Sequence, residues 1–381
     1  MKKIRGAALA LFLFLGGLAG YAVDFSRDLP LVNSRTLSLE GVSTLSINYA
    51  DDAVLIRESE TGEVVLKEFM KTDRPRYYAN ISQSRGTLTI ESGRRPWFNW
   101  SWKARIEIYL PRSFRENLRI STASGMLQAE TDLLDYKTID VSVSSGSVFY
   151  KRLSAETASV RVSSGALEVA GIGGNSFISI SSGKLQIGDL SGGEHRIKAS
   201  SGRMRIGAIR GDTGIEISSG GIVIEGIEGN AAMEIHAGTL QIAELAGVNH
   251  RIRTSSGRTS IEKTRGAMDI HASAGSIHIG DFSGQGSFEM SSGDISLDMR
   301  ELTGDLQFDI SSGNITVKLP RGSAFNLDAL TGGGRVLVNE GENELIRVSG
   351  NSTVLRPIGT SPERTIYARA TSGSVRIDLE N

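Results

Sequence analysis

The sequence predicts an all-β fold, a parallel β-solenoid built from coils of about 18–19 residues. Three observations carry that prediction: a steady glycine beat, period-two apolar alternation on both sides of it, and no sustained helical period after residue 25. The beat is Gly125, Gly146, Gly165, Gly183, Gly202, Gly220, Gly238, Gly257, Gly275, Gly293 and Gly313, at intervals of 18 to 21 residues. Most of these glycines end a Ser-Ser-Gly triplet.

Each coil can be read outward from its glycine. Three residues before it stands an apolar or small residue, such as Val143, Val162, Ile180, Ile217 or Ile235. Two and four residues after it come pairs such as Leu167 and Val169, Leu185 and Ile187, Ile222 and Ile224. Such alternation marks a strand with one buried face. Seven residues on comes Ile172, Leu190, Ile209, Ile227, Leu245 or Phe282, and nine on a second glycine such as Gly174, Gly192, Gly211 or Gly229. The unit is therefore two short strands and two glycine corners, where tight turns require positive φ or close backbone approach. Alone, such a unit cannot bury its apolar face, so copies stack in register. The apolar spacing departs from the six-residue repeat of left-handed β-helices and points to a right-handed coil.

The flanks depart from the beat. Lys2, Lys3 and Arg5 precede an uncharged run from Gly6 to Val23, with Gly20 and Ala22 placed for cleavage. Residues 1–22 read as a signal peptide or, if uncleaved, an N-terminal membrane anchor. Either way the body is expected outside the cytoplasm, in the periplasm, at the cell surface or secreted. Residues 23–118 alternate without the period and read as a β-rich N-terminal cap with irregular first coils. Residues 119–319 form the regular solenoid. Residues 320–381 read as irregular final coils, with 370–379 as C-terminal cap.

Composition excludes several chemistries. With no cysteine there is no disulfide, thiolate site or thiol nucleophile. The formal charge is −1, and no basic run stands out, which argues against nucleic acid as a partner. A membrane partner is expected only through an uncleaved N-terminal segment.

The segment Ile178-Ser-Ile-Ser-Ser-Gly-Lys-Leu-Gln-Ile187 repeats along the chain, with Glu107-Ile-Tyr-Leu-Pro111 before it and Thr371-Ser-Gly-Ser-Val-Arg-Ile377 at the end. Together these resemble the bacterial putative-adhesin family, a β-strand-repeat domain of unknown function. The resemblance spans roughly residues 35–381 and implies an extracytoplasmic β-solenoid. It brings no catalytic or binding residues with it.

Candidate sites are few. The Ser-Ser column is either a glycan-binding strip or a corner whose hydroxyls bond neighbouring backbone. His195 and His250 share a slot three coils apart, roughly 14 Å, too far for one metal ion. His236, His271 and His278 complete no ligand set, and the calcium-binding glycine-aspartate nonapeptide is absent. Neither a metal nor a cofactor is expected. Glu216 with Glu234, and Glu289 with Asp309, fall about 5 Å apart on neighbouring coils, as in a retaining glycosidase. No insertion surrounds them to build a cleft. Trp97, Phe98, Trp100 and Trp102 cluster outside the repeat, either as a contact surface or as a plug for the solenoid end. The expected function is a non-enzymatic envelope solenoid, an adhesin or scaffold. The alternatives are a membrane-anchored accessory protein in envelope stress sensing and a β-helical carbohydrate-active enzyme.

Overall fold

The computed structural model describes residues 29–94 and 104–380. Among these there is no α-helix; a 3₁₀ turn at Pro75–Tyr77 is the one helical element. The alternating stretches become strands, and the strands stack. Val160, Ile178, Ile197, Ile215, Met233, Ile252, Ile270, Phe288 and Phe308 are successive register partners in one parallel ladder. All nine are buried. Such columns fill the interior with apolar side chains, and the Phe288 and Phe308 rings stack 5.2 Å apart between centroids.

The second corner bends the strand without breaking it in most coils. Ser147–Val162, Ala166–Ile180, Lys184–Ala199 and Arg203–Ile217 each run continuously from one glycine corner to the next. The ladder absorbs unequal coil lengths at that bend. Leu153 pairs with Ile172, 19 residues on, whereas Thr157 pairs with Asn175, 18 on. One coil is interrupted there, between Gly221–Glu228 and Ala231–Ile235.

At the Ser-Ser-Gly corner the ladder also continues. Ser164 N donates to Ser144 O at 2.6 Å and Ala166 N to Gly146 O at 2.9 Å. This stacking explains the glycine. A Cβ on Gly183 would lie 2.0 Å from Gly165 O, and one on Gly220 2.5 Å from Gly202 O. Close approach of backbone to backbone is the common constraint. Along the beat, positive φ occurs only at Gly275, Gly293 and Gly313.

The ends are built out of chain order. Thr44–Tyr49 lies between Thr87–Glu91 and Asn117–Thr122, and Ala53–Ser59 between Ala104–Pro111 and Met126–Ala129. The N-terminal cap then closes with antiparallel strands: Val64–Met70 joins Leu31–Leu37 to Ala104–Pro111. Buried Glu68 ties that cap, accepting from Asn33 Nδ2 at 2.6 Å and from Ala79 N at 2.9 Å.

The C-terminal end mirrors this arrangement and corrects one expectation. The last repeat-like segment is a coil but not the cap. Thr365–Ala370 inserts between Asp294–Ile310 and Phe325–Thr331, and Ser374–Glu380 between Asn314–Pro320 and Arg335–Glu340. The glycine column therefore continues in the spatial order Gly313, Gly373, Gly334. The outer strands are closed by antiparallel partners, Asn343–Ser349 and Ser352–Ile358. A terminal strand with matching apolar residues can enter wherever an open ladder edge accepts it, and sequence order does not constrain which edge that is.

Candidate functional site

The coil gives every outward residue a fixed address. Side chains just before the Ser-Ser-Gly corner form one face, the corner forms a ridge, and residues one and three after the glycine form a second face.

On the ridge, the second serine of several triplets donates to the carbonyl of the first residue in the neighbouring coil's triplet. Ser219 Oγ reaches Ser200 O at 3.0 Å, Ser256 Oγ reaches His236 O at 3.0 Å, and Ser292 Oγ reaches Ser273 O at 3.1 Å. Ser201 and Ser219 hydroxyls also lie 3.2 Å apart. These bonds hold the corner while leaving the oxygens exposed.

The carboxylate pairs do become register neighbours, Glu216 beside Glu234 and Glu289 beside Asp309. Each pair is bracketed by cationic or titratable neighbours in the same column. The order is Lys198, Glu216, Glu234, Arg253, then His271, Glu289, Asp309, Arg369. Lys198 Nζ sits 2.5 Å from Glu216, and His271 Nδ1 lies 2.8 Å from Glu289. Glu234 is 62% exposed and Glu289 52%. A general acid needs a desolvated carboxyl, whereas each pair lines an open hollow, of about 540 Å³ for Glu216 and Glu234 and about 480 Å³ for Glu289 and Asp309. Beside this column, burial of Asp269 works against its charged form, but hydrogen bonding from Arg251 and the adjacent His271 together hold its carboxyl below the usual range.

The histidine slot is an inward column. Ser176, His195, Thr213, Ala231 and His250 follow one another in register. His195 is fully buried, with Nδ1 2.8 Å from Ser176 Oγ and Nε2 3.0 Å from Arg210 O. His250 repeats the Nε2 contact, to Arg265 O at 3.0 Å, but its Nδ1 has no partner in the protein. Desolvation lowers the His250 pKa below its ordinary value. Both rings staple the second corner. Among the described residues no group of histidine and acidic side chains is placed to hold a metal ion.

Trp97, Phe98, Trp100 and Trp102 lie outside the described residues, as does the leader at 1–22.

Two features escape a linear reading. One is a polar layer inside the core: Thr254, Thr259 and Thr264 take inward positions whose register neighbours on both sides are apolar. The other is a cluster of cations, Lys184, Arg203 and Arg205, on the face after the corner. No basic run announces it, because stacking joins residues some 19 positions apart. The signal lay in reading the sequence in columns one and three residues after each glycine.

Continuous parallel ladders, a filled interior and exposed polar faces define a β-solenoid repeat protein. A profile of the family described as Toastrack DUF4097 matches residues 42–234 and 211–378, and the chain belongs to that family. The two matches overlap, and the ladder runs unbroken through the overlap from Ile215 to Met233 to Ile252. No curated protein matches the chain. Among solved structures, it is similar to a putative cell adhesion protein from Clostridium sporogenes, at 10% identity and a TM-score of 0.24, covering 91% of this chain and 98% of that one. A putative adhesin from Parabacteroides distasonis matches at 12% identity and a TM-score of 0.26, covering 76% and 97%. A putative lipid binding protein from the same species matches at 15% identity and a TM-score of 0.18, covering 91% and 96%.

Proposed function

We propose that the chain is a non-enzymatic solenoid exported to the cell envelope, an adhesin or scaffold that presents its long faces to a partner. The observation that carries this reading is the lack of any insertion along the regular coils. Long strands follow one another through short corners from Ser147 to Ile310, which leaves extended faces marked by open, shallow grooves. The basic and apolar segment at residues 1–22 supports export.

The test is binding of the purified protein to isolated cell envelopes and to host-matrix and glycan surfaces. Saturable binding to one of them is the expected result; none to any would remove the reading. The apolar run Gly6–Val23 also favours a second form, in which the rod stays tethered and serves envelope sensing. N-terminal sequencing of the native protein separates the two: a start near Val23 supports release, and a start at Met1 supports the tether.

A further inference from the structure

Stacking gathers charges that the chain keeps apart. Lys184 and Arg203 are register partners on adjacent coils, as are Gln186 and Arg205. The three cations are exposed on the face after the corner. They line a groove of about 890 Å³ that crosses six consecutive coils, from Ser147 and Phe149 to Thr239 and Gln241. At about 4.8 Å per coil the groove is roughly 24 Å long. Where the cation column ends, Gly220 and Gly221 leave its floor low, and Ser201 and Ser219 put hydroxyls along one side.

Two facts set these cations apart. Many cations elsewhere on the rod are matched, Arg196 with Glu194, Lys198 with Glu216, Arg210 with Glu228, Arg251 with Asp269 and Arg265 with Glu244. Exposed arginines without an ion pair, such as Arg253 and Arg258, have no second unpaired cation beside them in register. Among the described residues Lys184, Arg203 and Arg205 have no such partner. Glu168 is the one carboxylate lining the groove. Three like charges side by side repel one another, and an anion laid among them relieves that repulsion.

We propose that this groove binds an extended anionic polysaccharide of the uronate type, laid along the rod axis across the coils. The inference rests on the binding-surface reading above and gives it a site and a ligand class. Guanidinium forks match carboxylates in shape and charge. With the Ser219 proton on Ser200 O and the Ser201 proton on Ser219, the two hydroxyls present lone pairs that accept from sugar hydroxyls. The repeat of an extended sugar chain is close to the rise of one coil, so successive coils can meet successive sugars. A nucleic acid fits less well, because the groove has one aromatic ring, Phe149, and no stacking platform. A lipid surface fits less well again, because Val223 is the one large hydrophobic residue exposed in it.

The experiment is calorimetric titration of the purified protein with polygalacturonate. Dextran serves as a neutral polymer and a short single-stranded DNA as a polyanion without sugar carboxylates. Polygalacturonate is expected to bind, more weakly as salt rises, and dextran is not. The triple variant Lys184→Gln, Arg203→Gln, Arg205→Gln should weaken binding about tenfold or more. Val223→Asp, which places a like charge on the path of the ligand, should weaken it too. Arg251→Gln, outside the groove, should leave it unchanged. Thermal unfolding of each variant verifies that the fold is retained. Undiminished affinity in the triple variant overturns the proposal, as does DNA or dextran binding as tightly as polygalacturonate. Envelope binding by wild type without polygalacturonate binding sinks this site and spares the wider function. Polygalacturonate binding without envelope binding supports this site and narrows the wider function to glycan adhesion.

Discussion

The polar layer at Thr254, Thr259 and Thr264 makes a sharp test of how the core is held. Thr254 stacks between Ile235 and Ala272, Thr259 between Leu240 and Ile277, and Thr264 between Leu245 and Phe282. Each is at most 4% exposed, and none of the three hydroxyls has a hydrogen-bond partner in the protein. Valine has the shape of threonine with a methyl in place of the hydroxyl. A buried hydroxyl without a partner costs roughly 1–3 kcal/mol in lost solvation. Taking the low end, each Thr→Val change should stabilise the rod by about 1 kcal/mol and the triple variant by about 3 kcal/mol. The assay is denaturant unfolding, read as the midpoint because long repeat arrays depart from two-state behaviour. Thr213→Val supplies the control. Thr213 is equally buried, but its hydroxyl donates to Gly211 O at 3.1 Å, so that change should lower the midpoint. If Thr254→Val, Thr259→Val and Thr264→Val also lower it, the hydroxyls are satisfied in solution and the reasoning is refuted.

Three further outcomes follow from the same columns. Ala231 occupies the place before His250 that Ser176 occupies before His195, so Ala231→Ser should give His250 Nδ1 its missing partner and raise stability by about 0.5–1.5 kcal/mol in the same unfolding assay. Because burial holds the His250 pKa below its ordinary 6.5, its contribution to stability should be complete above pH 6.5 and lost as pH falls below it. Unfolding midpoints measured from pH 8 to pH 5 should show that loss in wild type and less of it in His250→Gln. Gly220→Ala should destabilise the rod by roughly 1–3 kcal/mol, because its Cβ would sit 2.5 Å from Gly202 O. Gly221→Ala, one residue on with nothing within 4 Å, should be neutral or slightly stabilising, and thermal unfolding of the two variants compares them directly.

The regular coils were legible because each imposes two local rules that a single chain displays: alternation, and a glycine wherever backbones meet. Leu185, Ile187 and Ile197 are inward for that reason and could be placed from sequence. The ends were less legible because pairing there is a choice between open edges. Thr371-Ser-Gly-Ser-Val-Arg-Ile377 displays the corner motif, but only the stacked structure shows that its glycine sits against Gly313 and under Gly334. The sites were hardest to read. Glu216 and Glu234 could be placed side by side, yet whether a wall encloses them depends on loops and neighbouring columns. Lys184, Arg203 and Arg205 look unremarkable along the chain and form a cluster only once the coils are stacked.

The division between inward and outward columns bears on where this protein can acquire function. The inward columns and the glycine column are tightly constrained, since a Cβ at Gly183 or Gly238 would meet an atom of the stacked coil within 2.5 Å. Outward positions carry no such restraint. The residues one after the glycine run Ser147, Ala166, Lys184, Arg203, Gly221, Thr239 and Arg258, in register and without a common size or charge. One column can therefore change its chemistry coil by coil while the ladder beneath it stays the same. A binding surface on such a rod is a pattern written across strands, and its unit of recognition is the coil spacing. That geometry suits a partner that is itself a repeating polymer. A single compact ligand would need a wall, and between Ser147 and Ile310 the coils provide faces instead.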